Sequence, residues 1–309
     1  MLSSFFQGTR QQSPTMPTPA VSILVTVYNR QQFLPATLQS LACSRFQDFE
    51  AIITDDCSSD ASADIASEFA RTDSRVRFYR NEHNLGDYGN RMKAASLARG
   101  EYLKYVDSDD LIYPHTLDVM VSALSQHPEA GLALSHSLPE AEEPYPWVLN
   151  PHDTWRKQFL GRGCLSCGPT GALIRRRCFE DVGGFRREWG VLSDIDLWLR
   201  LAARWPVALL PPGLVWWRRH EGQEFTVGNA AWRYLTDGYR LSIESLSGRD
   251  CPLSESERSD ALSRVRHVHA RRLLALAVRQ RQPNKAWRAF RCSGLTGAQL
   301  VQGFFPYPR

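Results

Sequence analysis

The sequence predicts an α/β protein built on a doubly wound, mostly parallel sheet, with a helical extension at its C-terminal end. Three observations carry this. Short apolar, β-branched runs alternate with helix-period segments from Val21 to Ser135, a polar cluster directly follows each main run, and from about Ala230 only helical periodicity remains. A βαβ succession of this kind closes into a sheet through right-handed crossovers. At 309 residues the chain can bury a full core. Its 43% hydrophobic and 23% charged residues exclude a largely disordered polymer. No stretch approaches the roughly 18 uninterrupted apolar residues of a membrane span. A net charge of +4 is too small to make the whole chain a nucleic-acid binder.

Val21–Val27 is almost continuously apolar, as a strand covered on both faces must be. A helix is predicted from about Gln32 to Ala42, on Leu34, Leu38 and Leu41, with Pro35 tolerable in its first turn. Phe49 to Thr54 is the second strand. Asp60 stands where it can cap the next helix, in which Ile65 and Phe69 lie one turn apart. Val76 to Tyr79 is a third strand, Tyr88 to Ala98 a helix stopped by Gly100, and Glu101 to Val106 a fourth strand. Pro114 opens a helix through Leu117, Met120, Val121 and Leu124, and a strand follows around Gly131 to Ser135. Residues 139–160, which begin with a run rich in Pro and Glu, break the rhythm and are expected to form a surface loop or lid. Beyond them come a strand at Ala172 to Arg175, a short helix at Arg177 to Val182 and a helix at Asp194 to Ala203. Strands at Val207 to Leu210 and Leu214 to Trp217 follow.

The implied organisation is a disordered leader at 1–19, in which Met16 is an alternative start, one domain over 20–228 and a helical region over 229–309. Seven cysteines make an odd set, and Cys164-Leu-Ser-Cys167 has no second pair at zinc-ribbon spacing, so ordinary reduced thiols are expected. The N-terminus lacks the long apolar stretch of a secretory signal, which makes a cytoplasmic location the expectation.

Polar residues fall where chemistry would need them. Tyr28-Asn29-Arg30, Asp55-Asp56, Asn81 to Asp87 and Asp107 to Asp110 each follow a strand directly. They gather at the carboxyl edge of one sheet, where open α/β folds bind ligands. Asp107-Ser108-Asp109-Asp110 places three carboxylates within four residues. Their repulsion is relieved either by a hard divalent cation or by the donors of a following helix. A carboxylate at Asp55 or Asp56 can accept a nucleobase imide proton, and Tyr28 can set its ring against a flat base. Thr26 and Asn29 are polar neighbours at the same mouth.

Taken together, these segments resemble the family 2 glycosyltransferases of the GT-A fold. The resemblance rests on Val21 to Asn29, the Asp55 to Asp60 run, Asn84-Leu85-Gly86 and Ala98 to Asp110. Gly171 to Phe185, Ser193 to Arg200 and Trp217-Arg218-Arg219-His220 extend it, so that it covers residues 20–225. It implies a nucleotide-sugar donor half at 20–136 and an acceptor half at 165–225. Thr26, Tyr28, Asn29 and Ser108 would line the nucleotide pocket, Asp56 would read a pyrimidine and Arg91 would approach the nucleotide. Asp107 and Asp109 match the DxD pair, the first toward ribose and metal, the second on the metal, with His220 as a further ligand. Asp194 matches the catalytic base. The implied activity is inverting transfer from a nucleotide sugar, expected to be UDP-linked, with Mn²⁺ or Mg²⁺, to a saccharide, lipid-linked or other acceptor. The family's glutamate before the base is Ser193 here, which leaves Asp196 as a second base candidate. A sugar nucleotidyltransferase would need a Gly-rich loop where Tyr28-Asn-Arg-Gln-Gln stands. A non-catalytic nucleotide-sugar-binding scaffold is the remaining alternative. Trp216 and Trp217 could stack on a sugar, although strand spacing would put one of them in the core.

Between Arg258 and Arg291 ten basic residues face one acid, Asp260, and Leu273, Leu274, Ala277 and Val278 supply an apolar face. A solvated face on a packed helical hairpin is the first expectation, and peripheral contact with the inner face of an anionic membrane the second. Nucleic acid is not expected.

Overall fold

The computed structural model describes residues 18–135, 143–220, 223 and 232–307. The expected leader lies almost wholly outside them, as do the first residues of the expected lid and the boundary near residue 228. The described chain begins β1 (Val21–Val27), α1 (Leu34–Ala42), β2 (Phe49–Asp55), α2 (Ser62–Thr72), β3 (Val76–Arg80), α3 (Asp87–Ser96) and β4 (Tyr102–Asp107). It continues with β5 (Leu111–Ile112), α4 (Thr116–Gln126), β6 (Leu132–Ser135), β7 (Trp147–Leu149), α5 (Pro151–Leu160), β8 (Ala172–Arg175) and α6 (Arg176–Asp181). Then come α7 (Ser193–Ala202), β9 (Val207–Leu210), β10 (Val215–Trp216), α8 (Arg233–Ser247), α9 (Glu255–Val278), α10 (Pro283–Ser293) and α11 (Gly297–Gln302).

Eight strands form one sheet in the order β3-β2-β1-β4-β8-β6-β9-β7, and β10 pairs with β5 in a separate ribbon. The first four strands are parallel. β8 runs antiparallel between β4 and β6, and β7 is an antiparallel edge. Alternate residues of the strands feed two cores. Val21, Ile23, Val25 and Val27 pack toward α1 and α4, while Leu24, Ile52, Leu103 and Tyr105 pack toward Phe179, Phe185 and Trp198. Burial on both faces is why these strands read as continuous apolar runs. Each fully buried aliphatic side chain contributes about 1.5–3 kcal/mol.

Residues 143–160 correct the expected loop. Trp147–Leu149 pairs with β9, and Pro151–Leu160 is a helix. Asn150 caps it by accepting from the Asp153 amide at 2.9 Å, Pro151 occupies its first turn, and Trp155 and Phe159 are buried one turn apart. Trp216 and Trp217 are a second correction: both are exposed, and neither is core. At the C-terminal end a capping box of Ser254 and Glu257 opens α9. This helix packs on α5, α8, α10 and α11, and Leu241, Leu246 and Ala261 join the core beneath the sheet. None of the seven cysteines is in a disulfide. Among the described residues no helix is long and apolar enough to cross a membrane.

Candidate active site

Register brings the site to one edge. Thr26 lies beside both Thr54 and Asp107, and Val27 beside Asp55, so the loops after β1, β2 and β4 leave the sheet side by side. They are stitched together by side chains. Asn29 adopts a left-handed φ of 52°, which asparagine tolerates better than most residues. Its Oδ1 accepts from the Ser59 amide at 2.8 Å, its own amide donates to Ser58 Oγ, and the Arg30 amide donates to Ser62 Oγ. Thr26 is nearly buried, whereas Tyr28 is half exposed beside the mouth.

Asp55 and Asp56 are both buried, and the structure gives each a use. Asp55 accepts from the Ser58 amide and pairs with Arg80 at 3.4 Å. Asp56 takes three donors from the 81–86 loop: Asn81 Nδ2 at 2.8 Å, the Leu85 amide at 2.8 Å and the Gly86 amide at 2.9 Å. Its Oδ2 accepts only the Gly86 bond and retains a lone pair.

The Asp107 to Asp110 turn closes through an Asp110 amide to Asp107 carbonyl bond of 2.9 Å. Thr37 Oγ1 lies 3.1 Å from the Ser108 carbonyl and 2.8 Å from that of Asp110, and Ser108 is buried. Two arginines and a histidine answer two of the three carboxylates. Arg91, buried, lies 2.8 Å from Asp107 Oδ1 and donates to Asp87 Oδ1 at 3.0 Å. Arg30 Nε donates to Asp109 Oδ2 at 3.1 Å. His220 Nε2 lies 3.0 Å from that same oxygen, its ring packed on Phe33 with centroids 4.4 Å apart. Arg218 holds the strand after β10 over the turn, its amide donating to Asp110 Oδ1 and its Nε to the Asp109 carbonyl. Beneath the turn Lys104 is fully buried. Its Nζ donates to the carbonyls of Thr170 and Ala172, and burial lowers its pKa to about 7.

The electrostatics follow from this crowding. Burial pushes Asp110 up to about 8, and Asp107 adds to the rise. Asp107 is itself raised by burial, with Arg91 opposing and Asp109 adding. Asp194, at the start of α7, is pushed up to about 7 by burial. Its bond from the Ile195 amide and the charge of Arg91 oppose that shift, and Asp107 reinforces it. Asp194 is therefore within electrostatic reach of Arg91 and Asp107.

Asp196 does not join the cluster, and the expectation that it is a second catalytic base is corrected. Its buried carboxylate is gripped by Arg200 through Nε at 2.9 Å and Nη2 at 2.7 Å, while Arg200 also binds the carbonyls of Val182 and Gly184. Ser193, where the family has glutamate, donates to the Arg186 carbonyl at 2.6 Å and fixes the chain entering α7.

Thus Asp107, Arg91, Asp109 and His220 come together, Asp194 stands within electrostatic reach, and Asp196 belongs to the wall. Arg30, Arg218 and Lys104 were not anticipated in these roles; only Arg30, inside a polar cluster, carried a signal. The Asp109 carboxylate is a hard oxygen ligand that suits Mg²⁺ or Mn²⁺, and His220 Nε2 lies 3.0 Å from its Oδ2. Among the described residues no three His, Cys, Asp or Glu side chains surround one point. The rest of an ion's shell would therefore come from phosphate oxygens and water.

The profile of "Glycosyl transferase family 2" matches residues 22–183, just over half of the chain. An uncharacterized Mycobacterium tuberculosis protein, MT1568, is 30% identical over 241 residues, covering 72% of this chain and 74% of that protein. Matches to two other glycosyltransferases span 36% and 35% of those proteins' own lengths. Among solved structures, S. aureus TarS 1-349 in complex with UDP-GlcNAc superposes with a TM-score of 0.63 at 21% identity, over 81% of this chain and 72% of that one. The mannosyltransferase PcManGT of Pyrobaculum calidifontis, in complex with GDP-Man and Mn²⁺, gives 0.60 at 16% identity, over 93% and 86%. These two likenesses establish the fold, a mixed sheet of the GT-A kind. With the profile running from β1 to β8 and through both acidic turns, the chain belongs to glycosyl transferase family 2 and is a glycosyltransferase.

Proposed function

We propose that this chain transfers a sugar, with inversion, from a nucleoside diphosphate donor to an acceptor hydroxyl of a saccharide or lipid-linked saccharide. UDP-sugars are the leading donors. The observation that carries the reading is the contact of His220 with Asp109 Oδ2, 111 residues apart in sequence, in the same turn as Asp107, with Asp194 within electrostatic reach of Asp107. Tyr28 offers a half-exposed ring for the base, and Asp56 Oδ2 offers an acceptor for an imide proton. Asp109 and His220, with Asp107 adjoining, would hold a divalent cation. When bound, the cation neutralises charge developing on the leaving diphosphate.

The chain's own residues supply the rest. Arg91 holds Asp107 in place from within the core. Arg30 occupies Asp109 and becomes available to phosphate oxygens when that carboxylate turns to a cation. Asp194 takes the acceptor hydroxyl's proton as the new glycosidic bond forms on the face opposite the leaving group. General-base help of this kind is worth about 10²–10⁴-fold. A carboxyl with a pKa near 7 is a strong enough base for that task while remaining substantially ionised at neutral pH.

The test is calorimetric titration of UDP with Mn²⁺ and again with EDTA, followed by UDP release from a panel of UDP-sugars. Cation-dependent affinity together with turnover is expected. Equal affinity in both conditions would overturn the metal assignment. Binding without release, for any donor with any candidate acceptor, would make the chain a nucleotide-sugar-binding scaffold.

A further inference from the structure

The basic C-terminal region spends part of its expected apolar face on the bundle. Leu273 is buried against Ala270, Ala289 and Leu295, Leu274 and Ala277 are half-buried, and Val278 is exposed. Four more large apolar residues are left outside with it. Val278, Phe304, Phe305, Trp287 and Val301 are 68%, 64%, 62%, 59% and 57% exposed, which makes them the five most exposed large hydrophobic residues among those described. All five lie in the last quarter of the chain.

The segment of chain that carries them is cationic. From Ala261 to Tyr307 there is no Asp or Glu, while nine residues are Arg or Lys; the remainder of the chain is net acidic. Arg271, Arg272, Arg279, Arg281, Lys285, Arg288 and Arg291 are exposed. On α10, Ala286 and Ala289 face the bundle, which turns Trp287, Arg288 and Arg291 outward. The 303–307 segment is anchored rather than loose. Arg271 Nη1 donates to the Phe305 carbonyl at 3.1 Å, Tyr307 Oη donates to the Asp260 carbonyl at 3.3 Å, and Gly303 packs on the Ala270 backbone. A groove of about 660 Å³ runs beside this segment, lined in part by Arg264, Arg266, His267, Phe305 and Tyr307.

We propose that this face docks on an anionic lipid bilayer, with Trp287, Phe304, Phe305 and the two valines entering the interfacial layer and the cations facing lipid phosphates. Two features favour lipid over a protein partner. A symmetric contact between two copies would set seven exposed cations against seven, whereas interface cores are depleted of charge. Single apolar side chains scattered among Arg and Lys match the pattern by which surface-seated helices hold an anionic membrane. The inference does not depend on the proposed donor, metal or base.

The experiment is flotation of the full chain with vesicles of phosphatidylcholine alone and of phosphatidylcholine mixed with phosphatidylglycerol. The protein is expected to float with the anionic vesicles and to be released by high salt. Arg281→Gln with Arg288→Gln should weaken partitioning about 25-fold, at about fivefold per charge. Trp287→Ser, Phe304→Ser and Phe305→Ser together should abolish it, with circular dichroism and UDP binding unchanged. The same recovery with neutral and anionic vesicles would overturn the proposal. So would variants that leave flotation intact while splitting a dimer or releasing bound RNA.

Discussion

Replacing Asp194 by Asn separates two consequences of one buried carboxylate. Burial raises its pKa from 3.8 to about 7, so the folded protein resists ionising it. A group raised on folding contributes stability that is complete below its unfolded pKa and is lost as pH rises through its folded pKa. Between pH 5 and pH 8 that loss is about 2.5 kcal/mol at most, at 1.36 kcal/mol per pKa unit. Asn cannot ionise, so the variant should escape the loss. Urea denaturation of both proteins at pH 5 and pH 8, in EDTA and without nucleotide, measures the difference of differences. Any packing cost of the amide cancels in it. The variant should gain on the parent by one to a few kcal/mol at pH 8 relative to pH 5, as an order-of-magnitude expectation. UDP release in the presence of donor and acceptor should fall about 10²–10⁴-fold, and in the parent should rise with pH through about 7. A stability difference independent of pH would remove Asp194 from its buried, protonatable state. Normal turnover would remove it from catalysis.

Four further substitutions test the rest of the architecture. Asp109→Asn and His220→Ala should each make UDP affinity insensitive to Mn²⁺ in calorimetry, because each removes one of the two side chains proposed to hold the cation. Asp196→Asn should cost about 2 kcal/mol in denaturation, the loss of charge-assisted bonds to Arg200, while kcat for any donor that turns over changes little. Gly100→Ala should cost about 1–3 kcal/mol, because a Cβ there would lie 2.5 Å from the Ser22 amide nitrogen and 2.8 Å from the Val21 carbonyl carbon.

The central strands were legible because burial on both faces writes itself into composition. From Val21 to Val27 no residue is free to be polar except Ser22 and Thr26, and Ser22 donates to Glu50 Oε1 at 2.7 Å. The helix at Pro151–Leu160 was written as clearly, in Asn150-Pro151 and the Trp155–Phe159 spacing, but the Pro- and Glu-rich run before it made the whole segment read as a loop. The position of β8 between β4 and β6 was not legible. Local pattern fixes what a strand is, while its neighbours are chosen by contacts such as Tyr102 beside Arg175 that no window contains. Trp216 and Trp217 failed for a similar reason. The ribbon they end pairs with β5 alone, so alternation does not turn either ring into a core, and Arg218 and Arg219 cover them from the solvent side.

In the candidate site the carboxylates were legible as a cluster, whereas of the groups that answer them only Arg91 and His220 were named, through the family resemblance, and Arg30, Arg218 and Lys104 were not. Acidic residues cluster in sequence because a single turn presents them. The groups that answer them arrive from elsewhere: Arg30 from 79 residues before Asp109, His220 from 111 residues after it, and Thr170, which receives Lys104, from 66 residues beyond that lysine. The choice between Asp194 and Asp196, by contrast, could have been made from the sequence. A helix turns about 100° per residue, so carboxylates two apart point about 200° from each other, and only one can face a crevice. Arg200 stands four residues after Asp196, at the spacing where a helix pairs its own charges, and is six residues from Asp194. The residue with a partner on its own helix is thereby committed to the wall. The one without such a partner is left within electrostatic reach of Arg91 and Asp107.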